Sequence, residues 1–179
     1  MRTELETTVQ HALTFQRYDE SPAIDGVHYL PLAKHRSLEG SFTEYLRVTG
    51  GQAEGMPFPF DVRQISVSQA VPGRVNAFHV HPLEAQDEVW LVIAGELAVW
   101  LIDVRENSPT SGARRCYLLS AEEPGLLLIP TGVAHGYRAG ITGATILYAM
   151  NAQFHPDTPN EGRLPWDFFG RELWEDDRG

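Results

Sequence analysis

Three histidines and one glutamate are the residues of this sequence whose types and spacing could do chemistry together. His79 and His81 are two residues apart, Glu88 follows after a short loop, and His135 comes later, after a Pro-Thr-Gly turn. Because residues i and i+2 of a strand point to the same face, His79 and His81 can reach one ion. Imidazole and carboxylate groups are common ligands of divalent transition metals. The set therefore predicts a metal site with these four ligands, for Zn, Mn, Fe, Co or Ni.

Short strand-like segments surround these residues and must position them. Apolar and polar residues alternate through the middle of the chain, and turn signals recur at intervals of about 8–12 residues, which is typical of an all-β sandwich or barrel. Ala94-Gly95-Glu96 predicts a hairpin between strands at 88–93 and 97–103. Residues 4–14 and 166–174 predict short helical segments at the two termini.

Composition limits the kind of partner that the protein can have. With 179 residues and 42% hydrophobic content, the chain can form one domain with a core. Its net charge of −10 disfavours nucleic-acid binding, and no apolar run is long enough to span a membrane. The N-terminus lacks the apolar stretch of a signal peptide, and the single Cys116 cannot form an internal disulfide. We therefore expect a cytoplasmic protein with a small-molecule substrate.

Two segments resemble the motifs of the cupin superfamily. The segment that resembles the first motif contains Gly73, His79, His81, Glu88 and Gly95, and the one that resembles the second contains Gly125, Pro130, Gly132 and His135. The resemblance implies a double-stranded β-helix, or jelly-roll, barrel with a metal in its mouth. We accordingly predict an N-terminal extension over residues 1–38, a cupin barrel over 39–155, and a tail over 156–179 that packs on the barrel.

Within the cupins, residues 39–151 are similar to the dTDP-4-dehydrorhamnose 3,5-epimerase family. The clearest matches are at residues 104–112, 119–122 and 129–137. That family needs no metal: a histidine removes a proton beside the 4-keto group of a nucleotide sugar, a lysine stabilises the enolate, and a tyrosine reprotonates the carbon. The base falls on His79 and the tyrosine on Tyr148. A histidine suits the base and a phenol the acid.

The resemblance also implies substrate-binding residues. Phe42 and Glu44 match an early motif of the family, and Gln64 and Ser68 fall where the family has polar residues that line the substrate site. Asn76 stands where the family has an arginine. The family forms dimers that exchange N-terminal strands, so the resemblance implies a homodimer in which residues 41–48 exchange.

Several positions depart from the family pattern. Glu88 replaces the lysine, His81 replaces a glutamine, and Asn76 and Glu39 replace two arginines that bind the diphosphate. Phe154 replaces an aromatic hydroxyl. The acid that partners the base is expected near residues 167–168. Losing both arginines should weaken the affinity for a nucleotide sugar, and a bound cation could supply the positive charge that the lysine no longer supplies.

These observations support a metal-binding sugar or keto-sugar isomerase or epimerase in which Tyr148 moves protons. His79 acts as a base there only if it binds no metal, because a nitrogen bonded to an ion cannot accept a proton. The alternatives are a metal-independent dTDP-4-dehydrorhamnose 3,5-epimerase, a metal-dependent cupin oxygenase, and a cupin that binds a ligand without catalysis. For each histidine taken singly, a satisfied position inside the barrel is an equal alternative.

Overall fold

The computed structural model describes residues 3–15 and 22–175. Within them it contains one α-helix, α1 (Thr7–Ala12), and a 3₁₀ helix, Arg171–Trp174. The strands are β1 (His28–Pro31), β2 (His35–Ser37), β3 (Gly40–Phe42), β4 (Val48–Thr49), β5 (Gln52–Ala53), β6 (Gln64–Ala70), β7 (Val75–Val80), β8 (Glu88–Asp103), β9 (Arg114–Ser120), β10 (Gly125–Ile129), β11 (Val133–Met150) and β12 (Gly162–Arg163).

Two long antiparallel strands, β8 and β11, run through both walls of the molecule. The first half of β8 pairs with the second half of β11, and this wall is completed by β10 and β1 on one side and by β6 on the other. The second half of β8 pairs with the first half of β11, and β9, β7 and β12 complete the second wall. The result is the predicted all-β jelly roll, with a cavity between the two walls.

The predicted hairpin at Gly95 is wrong, because β8 is one continuous strand from Glu88 to Asp103. Gly95 lies where β8 bends from one wall into the other, with φ +73°, which favours glycine. The backbone of Gly143 on β11 approaches so closely that a Cβ at Gly95 would lie 2.0 Å from its carbonyl oxygen. The glycine therefore serves a bend shared by two paired strands rather than a turn.

Three apolar clusters hold these walls. The largest lies between them and includes Leu97, Leu101, Leu127 and Ile146. A second cluster is on the outer face of the first wall, where Phe60, in the segment that precedes β6, is fully buried. The third cluster is on the outer face of the second wall, where residues between 164 and 174 pack on it.

Trp174, the buried end of that C-terminal segment, is 5.3 Å from Phe78 between ring centroids. The backbones of Leu164 and Phe78 also exchange two hydrogen bonds, Phe78 N to Leu164 O at 3.2 Å and Leu164 N to Phe78 O at 2.9 Å. These contacts fix the tail, and with it β12, beside the cavity.

The N-terminal helix is shorter than the predicted 4–14, and the 3₁₀ helix is a single turn within the predicted 166–174. The strand predicted at 41–48 is present only in part, as β3 and β4. Residues 1, 2 and 16–21 of the predicted N-terminal extension, and 176–179 of the predicted tail, lie outside the described residues, and the three-part division stays a prediction. Among the described residues, no helix is both long and apolar enough to cross a membrane. The cytoplasmic location likewise stays a prediction.

Candidate active site

A cavity of about 830 Å³ opens between the two walls. Nine of the residues that the sequence analysis singled out line it together: Gln64, Ser68, Asn76, His79, His81, Glu88, His135, Tyr148 and Phe154. They converge because β7 and β8 face each other across the barrel and β11 passes through both walls. His79 pairs with His135 across β7 and β11, and Tyr148 pairs with Trp90 across β11 and β8.

His79 has a polar partner at each ring nitrogen. Its Nδ1 contacts the carboxylate of Glu161, and its Nε2 lies 3.1 Å from Oδ1 of Asn76. A carboxylate at Nδ1 keeps the proton on that nitrogen and leaves the Nε2 lone pair for the cavity. Once Nε2 has taken a proton, it can donate a hydrogen bond to Asn76 Oδ1. The arrangement is that of a general base with an orienting acid.

Glu161 is the functional residue that the sequence analysis missed. The acid partner was expected near residues 167–168, but Asp167 instead lies 3.9 Å from Arg171 in an ion pair. Glu161 directly precedes β12, a two-residue strand that pairs with β7. Such a short strand has no periodicity that a sequence can reveal, and only its pairing with β7 brings Glu161 to His79.

His81 and Glu88 form a buried polar pair at one end of the cavity. His81 Nε2 is 3.0 Å from Glu88 Oε1, and His81 Nδ1 is 2.5 Å from the backbone carbonyl of Asn160. Glu88 also accepts hydrogen bonds from Gln86 Nε2 at 2.9 Å and Trp90 Nε1 at 2.6 Å. Every carboxylate oxygen of Glu88 therefore has a donor supplied by the protein.

The pKa shifts of this pair follow from its contacts. Burial alone would raise the pKa of Glu88, but the hydrogen bond from His81, the charge of His81 and the hydrogen bond from Trp90 lower it to about 2. Burial alone would lower the pKa of His81, but Glu88 and the Asn160 carbonyl reverse this and raise it. Both shifts favour the charged form of the group, so together they favour an imidazolium–carboxylate pair.

His135 is fully enclosed and differs from His81 in charge. Its Nδ1 donates to the carbonyl oxygen of Val133 at 3.0 Å, and burial lowers its pKa, which favours the neutral imidazole. The ring stacks on His79 with 5.9 Å between centroids and meets the edge of Trp90 at 5.3 Å. These contacts make His135 part of the packed wall behind His79.

Tyr148 lies across the cavity from the wall that carries His79. Its hydroxyl is hydrogen-bonded to Ser68, and burial, together with the nearby Glu88 and Glu161 carboxylates, raises its pKa. A raised pKa keeps the phenol protonated at neutral pH, as a proton donor requires. The ring is 6.3 Å from that of Trp90 between centroids, so packing limits its orientation.

Phe42 and Glu44 do not line this cavity. Phe42 ends β3 and is 65% exposed, and Glu44 forms an ion pair of 2.8 Å with Arg47. Strands β2 and β3 pair only with each other among the described residues. Their position in one protomer therefore does not test whether Phe42 or Glu44 contacts a substrate. The substrate-binding roles of Phe42 and Glu44 stay predictions.

Comparison with known proteins gives the family. The model of the dTDP-4-dehydrorhamnose 3,5-epimerase family matches residues 21–168. The chain belongs to the dTDP-4-dehydrorhamnose 3,5-epimerase family. A spore coat polysaccharide biosynthesis protein, SpsL, of Bacillus subtilis is 42% identical over 145 residues, which cover 80% of this chain and 91% of that protein. Since its family consists of epimerases, this protein is an enzyme of the isomerase class.

Solved structures of epimerase-family proteins have the same fold. The dTDP sugar isomerase of Desulfovibrio desulfuricans superposes with a TM-score of 0.70 at 26% identity and covers 86% of this chain and 91% of that one. The dTDP-4-dehydrorhamnose 3,5-epimerase of Bacillus anthracis, solved with TDP and PPi bound, superposes with a TM-score of 0.68 at 25% identity and covers 83% of this chain and 82% of that one.

The metal prediction is wrong, because this family of epimerases acts without a metal cofactor. The four predicted ligands do converge, but the protein itself satisfies them. His79 lies outside the group of described ligand atoms that are close enough to one another to share an ion. The ligand atoms of His81, Glu88 and His135 lie within 4.8 Å of one another, yet they pair with each other and with backbone carbonyls. The oxygenase alternative depended on the same metal and loses its basis with it.

Proposed function

We propose that this protein is a metal-independent 3,5-epimerase that acts on a nucleotide-linked 4-keto sugar. The observation that carries the proposal is the His79–Glu161 pair, which leaves Nε2 of the histidine directed into a cavity that Tyr148 also lines. The family match and the relatives named for dTDP sugars support the substrate class. The positions of His79 and Tyr148 are compatible with proton exchange at C3, at C5 or at both carbons of the sugar.

The proposed reaction moves one proton off a carbon and another onto it. His79 Nε2 takes the proton from the carbon beside the 4-keto group, and the electron pair of the broken C–H bond moves onto the carbonyl oxygen as an enolate. Tyr148 then gives its hydroxyl proton to the same carbon from the opposite face, as the enolate electron pair returns to carbon to form the new C–H bond. His79 releases its proton to solvent, and solvent returns one to the phenolate. Because the base and the acid are on different strands across the cavity, His79 acts on one face of the sugar ring and Tyr148 on the other.

The enolate needs a positive charge nearby, which the family's lysine would supply. Here Glu88 stands at that position, and we infer that the His81 imidazolium beside it is the cation of the site. Its charge is held in the cavity wall by Glu88 on one side and the Asn160 carbonyl on the other. Preorganised charges in a buried site stabilise developing negative charge more than they would in water.

We also propose that the protein is a homodimer. Strand β6 pairs only with β11 among the described residues, so its other edge is free, and Ile65 and Val67 on it are 54% and 58% exposed. Leu38, at the turn between β2 and β3, is fully exposed. Free strand edges and apolar side chains support pairing with a second copy. Sedimentation should give twice the 20.0 kDa mass of the chain, and a monomer at all concentrations would contradict it.

The epimerase proposal is tested by comparing His79→Gln with the wild type on dTDP-4-keto-6-deoxyglucose. We expect product formation to fall by at least about 100-fold, the range for loss of a general base. His155→Gln, which replaces an exposed histidine outside the cavity, is the matched control and should retain full activity. Equal rates for His79→Gln and the wild type would refute the role of His79.

A further inference from the structure

The proposed substrate carries a diphosphate, and the two family arginines that would bind it are absent at positions 39 and 76. Asn76 lines the cavity as an uncharged amide, and Glu39 lies in an exposed hairpin turn. An enzyme for a nucleotide sugar must hold the diphosphate by other groups, since charge-assisted bonds to guanidinium groups are the strong contacts that phosphates make.

Arg74 lies where such a contact is needed. It directly precedes β7, two residues before Asn76, and both side chains line the cavity. Its backbone is fixed in place, because its carbonyl accepts a hydrogen bond from Ala139 N at 2.9 Å and its amide donates to Val71 O at 3.1 Å. Among the residues that the structure describes, the Arg74 guanidinium has neither a hydrogen bond nor an ion pair.

Arg163 supplies a second guanidinium on the same side. It lies on β12 in register with His79 of β7, so the two side chains point to the same face of the second wall. Its side chain is 66% exposed, and its Nη2 is 3.5 Å from Glu161 Oε1. That ion pair is long, and Glu161 already binds His79, so the Arg163 guanidinium keeps donors for a ligand.

The charges of the cavity favour an anion, although the whole chain has a net charge of −10. The two carboxylates that line it, Glu88 and Glu161, each contact a histidine. Arg74 and Arg163 are the only lysine or arginine side chains that line the cavity within the described part of the chain. Local positive charge in a concave site attracts anionic ligands even when the net charge is negative.

We propose that Arg74 and Arg163 bind the diphosphate of the nucleotide sugar, in place of the arginines that are absent at positions 39 and 76. This inference rests on the proposed function, since the diphosphate belongs to the proposed substrate. On this inference the protein still binds a diphosphate, but it does so with two arginines at different positions of the cavity.

Calorimetric titration with dTDP tests the proposal, because dTDP carries the diphosphate but no sugar that can react. We expect Arg74→Gln and Arg163→Gln each to weaken the affinity for dTDP by about tenfold to 100-fold, the range for one charge-assisted contact. Arg171→Gln is the matched control, since Arg171 is 68% exposed and lies outside the cavity. Arg74→Lys keeps the charge and should retain most of the affinity.

Turnover separates this inference from the proposed function. We expect Arg74→Gln to raise KM with little change in kcat, because the diphosphate is remote from the reacting carbons. Arg163→Gln should raise KM and also change kcat, because Arg163 Nη2 lies 3.5 Å from Glu161 Oε1, the oxygen that contacts His79. The inference is overturned if both variants bind dTDP as tightly as Arg171→Gln, or if the wild type does not bind dTDP, even where the sugar is epimerised. If dTDP binding depends on the arginines but no epimerisation occurs, the proposed function fails and the diphosphate site stands.

Discussion

A carboxylate bonded to one nitrogen of an imidazole determines what the other nitrogen can do. Glu161 occupies Nδ1 of His79, so the chemistry of this site belongs to Nε2. His81 differs in the partner of its Nε2, which is the Glu88 carboxylate, whereas Nε2 of His79 faces only the neutral amide oxygen of Asn76. In the proposed mechanism the two neighbouring histidines therefore have different roles, His79 as the base and His81 as a fixed charge.

Glu161→Gln tests the orienting role. The amide cannot stabilise the imidazolium that forms when His79 accepts the proton, so we expect kcat to fall by about 100-fold, with the fold intact because Glu161 is partly exposed. Steady-state kinetics measures the change. Asp167→Asn, at a position where the sequence analysis expected the acid, is the control. A larger loss of kcat in Asp167→Asn than in Glu161→Gln would contradict the assignment.

Tyr148→Phe tests the proton donor. His79 would still remove the proton, so we expect deuterium from D₂O to enter the substrate while inversion of the carbon falls by about 100-fold or more. Proton NMR distinguishes exchange from inversion in one sample. Tyr117→Phe, outside the cavity, should behave as the wild type. Normal inversion in Tyr148→Phe would assign the acid to another group.

At this scale the sequence predicted the convergence of His79, His81, Glu88 and His135, but the metal-ligand role that it gave them is wrong, and the base role of His79 stays a prediction. Ligand types and strand spacing are visible in a sequence, whereas hydrogen-bond partners are not. The bonds from Gln86 and Trp90 to Glu88, which make a metal unnecessary for its charge, depend on contacts across the folded cavity.

Bent strands are the elements that bring the site together. Strand β11 carries both His135 and Tyr148, on opposite walls, because it bends between Ala139 and Ala144 while β8 bends at Gly95. Each strand stays continuous through its bend, and the bends meet where Gly95 and Gly143 are in close contact. A sequence shows the glycines as turn signals, and the continuity of the strands through them follows only from the pairing of β8 with β11.

Gly95→Ala should therefore cost more than the substitution of an ordinary glycine with positive φ. We expect the free energy of unfolding to fall by at least about 2 kcal/mol, because the new Cβ adds a clash with Gly143 O to the cost of the dihedral angle. Chemical denaturation measures it. Gly55→Ala is the matched control, since Gly55 has φ +75° and nothing within 4 Å of its Cβ position. Equal losses in both variants would show that the contact between the strands adds nothing.

The whole molecule is acidic, and its buried carboxylates make its stability depend on pH. Glu88 has a pKa of about 2 in the fold against its ordinary 4.5, so the unfolded chain binds this proton first as the pH falls. The stabilisation is present above about pH 4.5 and is lost as the pH falls through about 2. The shift corresponds to about 3 kcal/mol, and the lowered pKa of Glu161 acts in the same direction.

Denaturation at pH 6, 4 and 3 should show this loss in the wild type. Glu88→Gln should lower the stability at pH 6, since it removes the partner of the His81 charge, and should flatten the dependence below pH 4.5. Glu39→Gln, on an exposed turn, is the control and should keep the slope of the wild type. The same slope in Glu88→Gln and the wild type would contradict the buried, ionised carboxylate.

The fold of the whole molecule was predictable from the two cupin-like segments and the family resemblance. The acid partner of the base and the second cavity arginine were not, because residues 161 and 163 reach the site only through the pairing of β7 with β12 and through the packed tail.

The central claim, that His79 is a free base which acts without a metal, is tested most directly by deuterium exchange. Protein dialysed against chelator and kept in it is incubated with dTDP-4-keto-6-deoxyglucose in D₂O, and the substrate is followed by proton NMR. We predict that deuterium enters at C3, at C5 or at both, at the rate seen without chelator. No exchange in chelator, with exchange restored by a divalent metal, would contradict the account.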